Sequence, residues 1–184
     1  MRRFMLFLVS GLTTLVCYAQ VTFTDAIAYN DYIVNEQNAI GNAILELSNA
    51  FNEGGDMESY KTGIFREYEE LKLQCNTSLE KITIITPYDN NSEFLEAALN
   101  LFTFYKKVIA NEYYLLINFM TNENATIEEQ EKIMSLMENM SAEEARIDNI
   151  FLQAQQAFAN KYGFTLSENE LQDDIDELGG EEEE

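Results

Sequence analysis

The sequence predicts an all-α protein, an antiparallel up-down-up-down four-helix bundle with a disordered acidic C-terminal tail. Three observations carry that expectation. Apolar side chains recur at steps of three and four over long stretches, which marks one face of an α-helix and not the alternation of a strand. Helix breakers are rare, with one proline in 184 residues. Connectors between the periodic blocks are short, which favours antiparallel neighbours.

The N-terminus is a separate object. Arg2 and Arg3 precede an apolar run from Phe4 to Val16, and Cys17-Tyr18-Ala19 leads to a cut before Gln20. This is the layout of a secretory signal peptide over residues 1–19, with a run too short to span a bilayer comfortably. Lipid attachment at Cys17 is the rival. Simple cleavage is favoured, because Val16 stands where lipoprotein processing wants a small residue. Residues 20–164 then form the bundle domain and residues 165–184 the tail, and no transmembrane span remains in the mature chain.

The first helix begins near Thr24 and Asp25, whose side chains can cap free backbone N–H groups, and stops at Gly54-Gly55. Its stripe is Tyr29, Ile33, Gln37, Ile40, Ile44, Leu47 and Phe51, with Asn30 on the same side. A buried polar group left without a partner costs about 1–3 kcal/mol, so this helix is expected to be half core and half polar network. The second runs from about Asp56 to Ile84 on the stripe Tyr60, Ile64, Tyr68, Leu71, Cys75, Leu79 and Ile82. Thr83 to Thr86 is β-branched but meets Pro87 too soon for a sheet strand, and is expected to be a fraying helix end. Pro87 to Asn91 is a turn.

The third helix, about Ser92 to Thr121, is the most hydrophobic. One stripe of it runs Phe94, Ala98, Phe102, Tyr105, Ile109, Tyr113, Leu116 and Met120. Thr126-Ile-Glu-Glu129 has the form of a capping box, and so does Ser141-Ala-Glu-Glu144, so the last block is expected to be kinked or split near Met140-Ser141. Its stripe continues through Ile133, Met137, Met140, Ile147, Phe151, Ala154 and Phe158 to a stop at Gly163. The final twenty residues hold ten carboxylates and no basic group, which cannot bury enough to offset ordering entropy.

Charge and composition exclude several functions. The net charge is −22, and without Arg2 and Arg3 it is −24, from 9 basic and 33 acidic residues. Such a surface repels phosphate backbones, so nucleic acid is excluded as a partner. Histidine is absent, which removes di-iron Glu-x-x-His sites, histidine-ligated haem, His-assisted triads and ordinary zinc sites. No catalytic residue, cofactor or metal ligand is assigned.

The candidate ligand-binding residues are Tyr29, Asn30, Gln37, Glu112 and Glu144. Seam carboxylates such as Glu112 and Glu144 can act as acids of raised pKa or as ligands, but more often reach solvent or pair with a base. Isolated polar groups like Asn30 and Gln37 more often fix helix register. The tyrosines suit a protein or glycan surface, although core edges are the plainer alternative. Cys75 falls on an apolar face and reads as a small buried hydrophobe.

Tyr29-Asn30-Asp31-Tyr32-Ile33-Val34 with Gln37, together with Gln155-Gln156-Ala157-Phe158-Ala159-Asn160-Lys161-Tyr162-Gly163-Phe164, resembles an uncharacterised family of bacterial surface proteins. That family is named from spirochaetes and is widespread in Bacteroidetes-type bacteria. The resemblance spans about Thr24 to Phe164 and implies an exported helical surface protein with no known activity. The resulting expectation is a non-enzymatic binding or structural module. The alternative is a small-molecule or divalent-cation binder with a polar pocket between helices. Intact-mass measurement of the exported chain is expected to place the mature N-terminus at Gln20; a lipid adduct on Cys17 would assign the rival route.

Overall fold

The computed structural model describes residues 20–52 and 56–166. The expected signal peptide, the Gly54-Gly55 stop and the tail from residue 167 onward lie outside them. Among the described residues the protein is all helical, built from four rods. The first is α1 (Ala26–Asn52) and the second α2 (Met57–Thr83). The third is continuous but composite: α3 (Glu93–Val108), a π-helical turn (Ile109–Tyr113) and α4 (Tyr114–Met120). The fourth is α5 (Ile127–Tyr162). No helix among the described residues is long and apolar enough to cross a membrane.

The ends form where local chemistry requires them. Asp25 accepts from the Ala28 N–H at 2.8 Å, and Asp56 from the N–H groups of Glu58 and Ser59 at 3.1 and 3.0 Å. Each carboxylate satisfies donors that a helix start leaves orphaned. Thr126 and Glu129 close a reciprocal capping box at the start of α5, and Gly163 ends that helix at φ 75°, where a side chain would be strained. Asp89 and Asn90 make the turn before α3 with φ of 49° and 56°, a left-handed pair that these short polar residues tolerate.

Three local features differ from the sequence expectation. Ile85 does not fray but pairs in parallel with Val21, through Val21 N–H to Ile84 O at 3.1 Å and Thr86 N–H to Val21 O at 3.0 Å. The β-branched residues found a partner in the segment before α1, a contact with no local sequence signal. Ser141 starts nothing: α5 runs through it unbroken, because the box needs an extended residue at its head and the helix is already propagating there. The third rod carries its π turn at Ile109–Tyr113, which inserts one residue into the helical count. Up to its first residue the expected stripe is buried at Phe94, Ala98, Phe102 and Ile109; after it Ile117 and Thr121 are buried, while Met120 is exposed.

The core joins all four rods. Ile33, Ile40 and Leu47 of α1 share it with Ile64, Leu71, Cys75 and Ile82 of α2, with Leu101 and Phe102 of α3, and with Ile147, Phe151 and Phe158 of α5. One end is sealed by aromatic rings. Phe158 lies 5.4 Å from Tyr29, 5.3 Å from Phe94 and 4.7 Å from Tyr162 between ring centroids, and Tyr88 covers the group from the turn side. Phe158→Ala is expected to lower the free energy of unfolding by about 3–5 kcal/mol in urea titration, through lost transfer energy and the cavity left behind. Leu73→Ala, on the exposed face of α2, is expected to stay within about 0.5 kcal/mol.

Candidate functional site

The structure distributes the candidate residues over separate places. Asn30 is buried at the α1–α5 contact, where Gln155 Nε2 donates to its Oδ1 at 2.9 Å while its own Nδ2 donates to Asp31 at 3.1 Å. Tyr29 is enclosed in the aromatic end, and burial pushes its hydroxyl up to about 12, partly offset by the Tyr88 backbone. Gln37 is half-buried. Glu144 lies eleven residues before Gln155 on the same continuous helix, about 16 Å along its axis. Asn30 and Glu144 therefore line no common pocket.

Glu36, one position before Gln37, is the buried carboxylate of α1 at 8 % exposure. Ser78 of α2 donates to its Oε2 at 2.8 Å and Lys81 to its Oε1 at 2.7 Å, while Gln74 donates to the Ser78 hydroxyl at 2.9 Å. Both oxygens of Glu36 are paired, and the arrangement fixes α1 against α2. Sequence reading missed it because Ile33 to Glu36 to Ile40 steps by three and four as correctly as the path through Gln37. A signal was present: Ser78 sits between Cys75 and Ile82 on the buried face of α2, with Lys81 beside it.

A second group of ionisable side chains gathers where the third rod meets α5. Tyr105 donates to Asp148 Oδ1 at 3.2 Å. Burial, then the neighbouring Asp148, pushes the Glu144 carboxyl up to about 7. Burial also raises Asp148, against the lowering effect of the Tyr105 hydrogen bond, and raises the hydroxyls of Tyr105 and Tyr113. Glu112 belongs to the π turn itself, and its Oε2 is buried without a hydrogen-bond partner. Tyr68 reaches the same turn from α2, donating to the Ile109 carbonyl at 3.1 Å. No group of three or more carboxylates or cysteines placed to hold a metal ion occurs among the described residues. Cys75 is buried, and its thiol is pushed up to about 11 by that burial, so it is a poor nucleophile.

The accessible feature lies elsewhere. Between α4 and the first turns of α5 is a cleft of about 470 Å³, with Leu115, Phe119, Ile133 and Leu136 as its apolar walls. Asn118, Asn122, Glu129 and Lys132 stand at its polar margin. No residue of α5 before Met140 belongs to the core, so this part of the helix has an apolar arc wider than its neighbours cover. Leu115 is 51 % exposed and Ile127 76 %, with Met120, Met134 and Met137 also open to solvent. Lys61 holds the α4–α5 connection loosely to the start of α2, 3.7 Å from Glu123.

The raised Glu144 value sets a pH dependence. Its folded pKa exceeds the ordinary 4.5, so its contribution to stability is complete below about 4.5 and is lost as pH rises through about 7. Glu144→Gln is expected to be more stable than the parent chain at pH 8 by on the order of 2 kcal/mol, and near-equal at pH 4.5, in paired urea titrations. Equal stability at both pH values would show that the carboxyl keeps its water.

No protein-family model, curated protein or solved structure matches this chain.

Proposed function

We propose that the chain is an exported, non-enzymatic helical module, binding or structural, at the bacterial surface, with its rods arranged up-down-up-down. The observation that supports a binding role most directly is the α4–α5 cleft. Leu115, half exposed, lines a concave apolar wall there, and Met134 and Met137 on the same stretch of α5 stay in water. Contiguous exposed apolar surface on a folded chain is characteristic of an interaction site.

The cleft offers packing surface and little chemistry. The whole chain lacks histidine. Glu129, the carboxylate at the margin, is already engaged by the Thr126 N–H and hydroxyl at 2.8 and 2.9 Å. A small-molecule or cation pocket built from Asn30, Gln37, Glu112 and Glu144 gains no support from their placement. The dye bis-ANS, which fluoresces in apolar clefts, is expected to bind the folded chain at about one site per molecule. Leu115→Glu is expected to abolish that signal with the circular dichroism spectrum unchanged; undiminished dye binding by this variant would remove the cleft from the reading.

A further inference from the structure

We infer that the α4–α5 cleft receives one face of a basic amphipathic helix from a partner protein. The inference rests on the binding role proposed above and adds the chemistry of the occupant. Two features specify it.

The first is shape. The walls are contributed by two helices at the ordinary helical spacing, Leu115 and Phe119 on one side and Ile133 and Leu136 on the other. A concave apolar strip between helices accepts residues repeating at three and four positions along a third helix. Met120, Met134 and Met137, on the same two helices, are exposed, and unbranched thioether side chains adapt their shape to a helix laid across them.

The second is charge. From Ile127 to Asn139, the part of α5 that carries one wall, four exposed carboxylates (Glu128, Glu129, Glu131 and Glu138) stand against one basic residue, Lys132, which is itself paired with Glu128 at 2.7 Å. An apolar strip bordered in this way attracts a partner whose flanks are Lys or Arg and repels one whose flanks are acidic. A second copy of this chain brings the same carboxylates to the contact, and the chain's own 165–184 segment brings ten carboxylates and no base. Both are disfavoured by the field that favours a basic helix. Anionic membrane surfaces are disfavoured for the same reason.

The test uses the full chain and a fluorescein-labelled Leu/Lys peptide of about four turns, with leucines at steps of three and four. Anisotropy titration in 0.15 M salt is expected to give a dissociation constant in the micromolar range. A peptide of the same composition with scrambled spacing, and one with Glu in place of Lys, are each expected to bind at least tenfold more weakly. Leu115→Gln and Ile133→Gln should each weaken the Leu/Lys peptide about tenfold, while Leu73→Gln on α2 leaves it unchanged; thermal melts confirm that the variants are folded. Equal binding of the scrambled peptide would reduce the attraction to charge alone and overturn the proposal. So would indifference to the Leu115 and Ile133 changes, or a sedimentation result showing the cleft closed in a stable dimer. If bis-ANS still reports the cleft through Leu115 and the Leu/Lys peptide does not bind, the occupant is wrong and the binding surface stands.

Discussion

Burying a carboxylate in a helix seam costs least where both oxygens are answered, and Glu36 of α1 meets that condition. Glu36 is held by Ser78 and Lys81 of α2, and Asn30 by Gln155 of α5. A slide of α1 by one turn would leave the carboxylate buried without its partners, an error that costs about 3–5 kcal/mol. Hydrophobic packing alone is far less discriminating, since Ile, Leu and Phe can exchange neighbours at modest cost. The apolar stripe holds α1 inside the bundle, and these polar contacts decide at which height it sits. Their pairing also explains why they make poor ligand sites, since each oxygen of Glu36 already accepts a hydrogen bond.

The π turn has a consequence reaching well beyond its five residues. By inserting one residue it rotates everything downstream, so that Ile117 and Thr121 enter the core and Met120 leaves it. Leu115 is turned outward by the same rotation, and Leu115 and Phe119 then form one wall of the cleft. The exposed apolar surface at this end is thus the other side of a choice made in the core. Tyr68 donates into the turn from α2, which ties the irregular backbone to the packed interior. Such single-turn π insertions recur at functional sites because they re-aim side chains without breaking a helix.

Much of this fold was legible in the sequence, and the parts that were not share a physical origin. Periodicity and end chemistry are local: the four rods, the caps at Asp25, Asp56 and Thr126, the stop at Gly163 and the Asp89-Asn90 turn all follow from residues a few positions apart. The failures are cases where two local solutions are equally good and a distant contact decides. Glu36 and Gln37 both continue the stripe, and Ser78 on another helix selects the first. Ser141 has the chemistry of a cap but lies inside a helix already propagating from Thr126. The π turn has no composition signal, since Ile109 to Tyr113 would serve an ordinary helix as well. Of the candidate ligand residues, Tyr29 and Asn30 are buried, while Ile133, which the periodicity places on the stripe of the last block, lines the open cleft.

Why that surface stays open follows from unequal helix lengths and from charge. α5 has 36 residues and α1 and α2 have 27 each, a difference of about 13 Å in length. The sealed aromatic end takes the C-terminal part of α5, with Phe158 roughly 38 Å along the axis from Ile133. The N-terminal part therefore has α4 as its near neighbour and lacks the cover that α3 and α1 give to the rest. Association of two copies would bury the same apolar residues, but it would also bring carboxylates against carboxylates at short range, where screening beyond about 8 Å gives no relief. The acidic margin thus serves as a selector: it leaves the hydrophobic gain of burying Leu115, Ile133 and Leu136 to a partner of opposite charge.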